Sequence, residues 1–128
     1  MSPQNAVAIL SRRFAEKAAE QERCARDIRA TIPLVIEVLV REFGVHKIVL
    51  FGSLTRGDAR PDSDIDLAVE GLPPAQTFHA MARAASVAGR HVDLVPIEGA
   101  RPEVLATIER DGEVLLGGPA GTNAPRAA

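Results

Sequence analysis

Apolar residues recur at helical spacing over some stretches of this chain and at every second position over others, so the pattern predicts helices interleaved with strands. From Gln4 to Arg29 there is no Gly or Pro and much Ala, Glu and Arg, which favours a long helix. Its apolar stripe, Val7, Leu10, Phe14 and Ala18, is thin. After Thr31, read as an N-cap with Pro33 in the first turn, Ile32, Val35, Ile36, Leu39, Val40 and Phe43 make a much broader helical face that Gly44 terminates.

Lys47 to Phe51 is a short β-branched, apolar run that stops at Gly52, and Asp64 to Val69 alternates with Ile65, Leu67 and Val69 on one side. Both predict strands. Leu72 to Pro74 breaks the chain, and Ala75 to Ala88 reads as a helix (Phe78, Met81, Ala82, Ala85) closed by Gly89. A strand from His91 to Ile97, a helix from Arg101 to Glu109 and a strand at Val114–Leu116 complete the pattern. The expected fold class is therefore α/β (α+β): a small mixed sheet of three or four strands, helices mainly on one face, polar chemistry on the other.

A length of 128 residues suits one domain. The expected division is an N-terminal helical extension over 1–30, a core domain over 31–116, and a tail over 117–128 whose Gly, Pro, Ala and Asn bury too little apolar surface to order it. With 46% hydrophobic but only 3% aromatic residues, aliphatic side chains must fill the core. A net charge of -2 leaves no basic footprint, so stable nucleic-acid binding is not expected. The single Cys24 rules out an internal disulfide and a cysteine-rich zinc site, and it reads as a small packing residue. Without a signal peptide or a membrane-spanning run, a cytoplasmic protein is expected.

Chemistry concentrates in the fifteen residues from Gly52 to Asp66. Residues two apart on a strand share a face, so Asp64 and Asp66 are expected side by side. At about 5 Å and an effective dielectric of 20 such a pair repels by roughly 3 kcal/mol, which calls for a raised pKa or a bound cation. Oxygen-only ligands suit Mg²⁺ or Mn²⁺. Gly52-Ser53 ends a buried strand, where backbone N–H groups and a hydroxyl can cradle phosphate. Arg56 and Arg60 come soon after, with guanidinium forks that match phosphate oxygens, although Asp58 and Asp62 are rival partners for them. Asp62, Asp64 and Asp66 also imitate a calcium loop, but Leu67 and Pro73 stand where that loop needs Gly and Glu.

The run F-G-S-L-T-R-G-D-A-R-P-D-S-D-I-D-L-A-V, with Gly-Ser, ten intervening residues and Asp-x-Asp, resembles the signature of the DNA polymerase β-like nucleotidyltransferases, and most of all their minimal branch. The likeness continues more loosely through H-V-D-L-V and I-E-R-D-G-E-V-L-L, and spans about Ile32 to Leu116. It implies a polymerase β-like fold in which Gly52 and Ser53, helped by Arg56 and Arg60, bind the nucleotide's phosphates. Asp64 and Asp66 would hold two Mg²⁺ ions, with Asp93 completing the metal site and aiding deprotonation of the acceptor. Leu54 departs from relatives that carry Arg there, which shifts phosphate contact onto Arg56 or Arg60.

The same resemblance implies the reaction and the partners. A nucleoside monophosphate, AMP from ATP or its equivalent from another nucleoside triphosphate, passes to a protein hydroxyl. The acceptor is a HEPN-family toxin encoded as a separate chain, to which this protein is the antitoxin. Two other readings stand beside it: a non-catalytic module that neutralises its partner by contact, and a small-molecule nucleotidyltransferase of the aminoglycoside type. The latter usually carries a second helical domain, which is not evident here. The N-terminal helix could dock a partner, seat a second copy in a homodimer, or pack on its own domain.

Overall fold

Alternation along Ile65–Val69 decides the architecture: Ile65, Leu67 and Val69 are fully buried on one face of a sheet, leaving Asp66 and Ala68 for the other. The computed structural model describes residues 3–117. In chain order the elements are α1 (Pro3–Arg29), α2 (Ile32–Phe43), β1 (Lys47–Phe51), α3 (Ser53–Arg56), β2 (Ile65–Glu70), α4 (Thr77–Ala88), β3 (Val92–Pro96), α5 (Pro102–Asp111) and β4 (Glu113–Leu116). Single 3₁₀ turns occupy Pro74–Gln76 and Ile97–Gly99.

The strands form a four-stranded sheet in the order β3-β2-β1-β4. β1 runs antiparallel to both β2 and β4, whereas β2 and β3 are parallel, so the sheet is mixed as expected. In register, Phe51 lies opposite Asp66, and Asp66 opposite Asp93. α2 and α4 cover one face, where Val35, Leu39, Ala80 and Ala84 close over Ile48, Leu50, Leu67, Val92 and Leu94. Glu42 and Arg83 tie these helices together with two hydrogen bonds of 2.9 and 2.8 Å. The opposite face has a smaller apolar cluster, Val49, Ala68 and Ile108 with Phe51, Ile97 and Val104, which α5 seals. Helices thus lie mainly on one side, and the end of the second face near Asp66 and Asp93 is left to polar groups.

Three local expectations are corrected. Thr31 does not cap α2 through its side chain: its backbone is helical, and its hydroxyl donates back to the Ile28 carbonyl at 2.7 Å, finishing α1 instead. The fourth helix begins at Thr77, because Pro73 and Pro74 divert residues 74–76 into a 3₁₀ turn. Asp64 stands one residue before β2 rather than within it. Gly44 does close α2, with φ 73° and its N–H donating to the Val40 carbonyl at 3.1 Å.

α1 explains its own thin stripe. Only its last turns reach the core: Ile28 is buried, Cys24 and Ala25 pack partly against it, while Val7, Leu10 and Phe14 are 62%, 52% and 70% exposed. Arg29 fixes the C-terminal end by a bidentate pair with Glu113 of β4, at 2.7 and 3.0 Å. The Arg29 hydrogen bond also holds the Glu113 carboxyl below its ordinary range. Of the expected tail over 117–128, residues 118–128 lie outside the described residues.

Candidate active site

β1 ends at Phe51, and Gly52 then adopts φ 85°, a conformation that L side chains rarely take. A Cβ at Gly52 would collide with the Asp66 carboxylate, so the glycine lets the turn and that acid lie against each other. Beyond Gly52 the chain winds into a one-turn helix, an element that the apolar pattern does not announce. Thr55 Oγ1 donates to the Gly52 carbonyl at 2.8 Å, the Asp58 N–H donates to the Ser53 carbonyl at 3.0 Å, and Gly57 ends the turn with φ 79°. Ser53 opens the turn, where the leading N–H groups have no partner within the helix. Leu54 is buried in the core, so at this position the side chain serves packing.

The next loop is fastened before it reaches Asp64. Arg60 and Ser63 close a turn on each other, N–H to Oγ at 2.8 Å and N–H to carbonyl at 3.0 Å. Arg90, between α4 and β3, donates through Nη1 to the carbonyls of Pro61 at 3.1 Å and Ser63 at 2.8 Å. Its Nε is buried and has no partner among the described residues. Nothing in the spacing of the chain marks Arg90, because its role depends on the loop folding back over it.

Asp66, half-buried on β2, is the electrostatic centre. Its carboxyl is raised above the ordinary value first by burial, then by the charges of Asp93 and Asp64, while Arg56 and His91 pull it the other way. Asp93 is its register partner on β3, and neighbouring strands lie about 4.8 Å apart. Asp64 is exposed at the strand's mouth. Asp64 and Asp93 thus both bear on the Asp66 carboxyl. Among the described residues, however, no three acid, histidine or cysteine groups converge tightly enough to ligate one ion as they stand. In charge and donor chemistry the set fits a hard divalent cation.

An open cleft of about 950 Å³ lies in front of these groups, and Ser53, Arg56, Arg60, Asp64 and Asp66 all line it. Gly52 packs behind Asp66, and Asp93 reaches the cluster from the neighbouring strand rather than from the cleft wall. Arg56 also leans on Asp58 at 3.4 Å, one of the rival pairings foreseen for it, while Arg60 makes no ion pair among the described residues. Lys17, Glu20 and Gln21 of α1 close the cleft's remaining side. Sequence reasoning missed them, since the thin stripe of Val7, Leu10, Phe14 and Ala18 does not mark which part of the helix meets the cleft.

The family profile described as polymerase beta, nucleotidyltransferase, matches residues 34–118. The chain belongs to this nucleotidyltransferase family. Within it, the chain is 34% identical over 76 residues to a protein adenylyltransferase MntA of Thermococcus cleftensis, covering 57% of this chain and 77% of that protein. A toxin–antitoxin crystal structure with AMP-PNP is 29% identical, with a TM-score of 0.59 over 66% of this chain and 72% of that one. A complex of tri-AMPylated Shewanella oneidensis HEPN toxin with its MNT antitoxin, 24% identical and matching 71% of this chain and 73% of that chain at a TM-score of 0.59, shares the fold. These likenesses place this nucleotidyltransferase in the minimal branch, and α1 stands ahead of the matched segment.

Proposed function

We propose that this nucleotidyltransferase moves AMP from ATP onto a hydroxyl of a HEPN-family toxin, acting as its antitoxin in the cytoplasm. The observation that carries the reading is geometric: Asp66 lines the cleft with Ser53 and Asp64, lies against the Gly52 turn and stands in register with Asp93 on the neighbouring strand. The relatives support it: the name of one is protein adenylyltransferase, and another is a toxin–antitoxin pair crystallised with an ATP analogue. In this reading 31–116 is the catalytic unit and 1–30 an added helical wall.

Gly52 and Ser53 hold the triphosphate through backbone N–H groups and the hydroxyl, with Arg56 and Arg60 steadying its outer oxygens. Asp64 and Asp66, with Asp93, would hold two Mg²⁺ ions, or Mn²⁺ in their place, and these supply the positive charge that neutralises the phosphates and acidifies the acceptor. The acceptor oxygen then bonds to the α-phosphorus in line. The bond from that phosphorus to the bridging oxygen breaks, pyrophosphate leaves with its electron pair, and Asp93 takes up the acceptor's proton.

The test is to incubate the full chain with Mg²⁺, α-labelled ATP and the toxin protein from its own operon, beside an Asp64→Asn/Asp66→Asn variant. Label on the toxin that vanishes in the variant supports transfer. Neutralisation without label, equal in both proteins, overturns it in favour of a contact-only module.

A further inference from the structure

The wall made by α1 has no counterpart in the core motif, and its charge decides what it can hold. Three cations and five acids line the cleft, an unfavourable balance for a polyanion even before Asp93 is counted. Of the cations, Arg56 already leans on Asp58. Lys17 makes no ion pair among the described residues, and Leu54, at the start of the phosphate-facing turn, is buried and contributes no charge. The cations of the cleft free of internal ion pairs among the described residues are therefore Arg60 on one side and Lys17 on the other, while Arg56 is shared between Asp58 and the cleft.

Lys17 is also held in place. Burial of Ile28 and the bidentate Arg29–Glu113 pair fix the end of α1, and an unbroken helix runs the eleven residue steps from Ile28 back to Lys17. At 1.5 Å per residue that is about 16 Å of helix, which places Lys17 at the cleft. A lysine ammonium is a compact point charge suited to terminal phosphate oxygens, where it need not match a planar fork.

We infer that Lys17 is a nucleotide-binding residue, its ammonium contacting the β- and γ-phosphates across the cleft from Ser53, so that α1 completes the triphosphate site. This rests on the nucleotidyltransferase reading of the cleft, and it adds to that reading a residue outside the matched family segment. A contact to the outer phosphates favours ATP over AMP and positions the pyrophosphate that departs.

The experiment measures binding of a non-hydrolysable ATP analogue and of AMP to the full chain in Mg²⁺, for the wild type, Lys17→Ala and Lys17→Arg, with helicity checked by circular dichroism. Lys17 lies on an exposed helix surface, so the variants keep the fold. Lys17→Ala is expected to weaken the ATP analogue about tenfold and leave AMP unchanged, with Lys17→Arg restoring most of the loss. Unchanged analogue binding in Lys17→Ala overturns the inference alone, as does equal weakening of both nucleotides. A wild type that binds neither nucleotide overturns the enzymatic reading and this inference together.

Discussion

At the scale of single residues, Asp66 sets the terms. A carboxyl held above its ordinary value binds its proton more tightly folded than unfolded. That contribution to stability is complete below the ordinary carboxylate value of 3.8 and is lost as pH climbs through the raised folded value. In metal-free buffer, Asp66→Asn should therefore melt a few degrees higher than wild type at neutral pH, with the gap closing as pH falls toward the carboxylate range. Calorimetry across that range checks this; a variant less stable at neutral pH contradicts it. Mg²⁺ should stabilise wild type more than the variant, because the ion relieves the repulsion that Asn removes. Gly52→Ala meets both a left-handed φ and the Asp66 carboxylate. It should cost about 1–3 kcal/mol in denaturant unfolding and lower transfer at least tenfold.

The same two positions show what the chain discloses unaided. Asp66 and Gly52 are legible because strand alternation and a glycine after a buried run are local signals. Arg90, Lys17 and the burial of Leu54 are not, because each depends on segments distant in sequence coming together. Arg56 illustrates the middle case: of the pairings foreseen for it, the one with Asp58 forms, and the residue still lines the cleft.

At the scale of elements, the β1–α3 turn and the loop before β2 act as one frame. Arg90 ties that loop to the α4–β3 junction through two carbonyls. Arg90→Gln should leave those acceptors unpaired, cost about 1–3 kcal/mol, and speed amide exchange between residues 60 and 66 ahead of the rest of the sheet. Uniform exchange rates would show that the loop is held by its own turn. α1 tests a different bond. A double-mutant cycle of Arg29→Ala and Glu113→Ala should give a coupling of about 0.2–1 kcal/mol, discounted for the exposure of both groups. No coupling would mean that the packing of Cys24, Ala25 and Ile28 seats the helix without the ion pair. Element boundaries were legible where caps and prolines are local, as at Gly44. They were missed at Thr31, whose hydroxyl had a carbonyl behind it to satisfy, and at α3, where one helical turn leaves too short a period to read.

For the whole molecule, the mixed sheet does one thing for function: it sets β2 and β3 parallel so that Asp66 and Asp93 share a register, while β1 delivers Gly52 beside them. The sequence disclosed a mixed sheet of three or four strands because its apolar periods are clear; strand order is a long-range property and was left open. Among the described residues no helix is long and apolar enough to cross a membrane. The central claim is that this acid cluster holds divalent metal against a triphosphate. The most direct measurement is a crystal structure with Mn²⁺ and a non-hydrolysable ATP analogue, read by anomalous scattering. The account predicts manganese peaks within about 2.0–2.3 Å of carboxylate oxygens of Asp64 and Asp66, and phosphate density against Ser53. Nucleotide bound elsewhere, or no metal at these acids in saturating Mn²⁺, would contradict it.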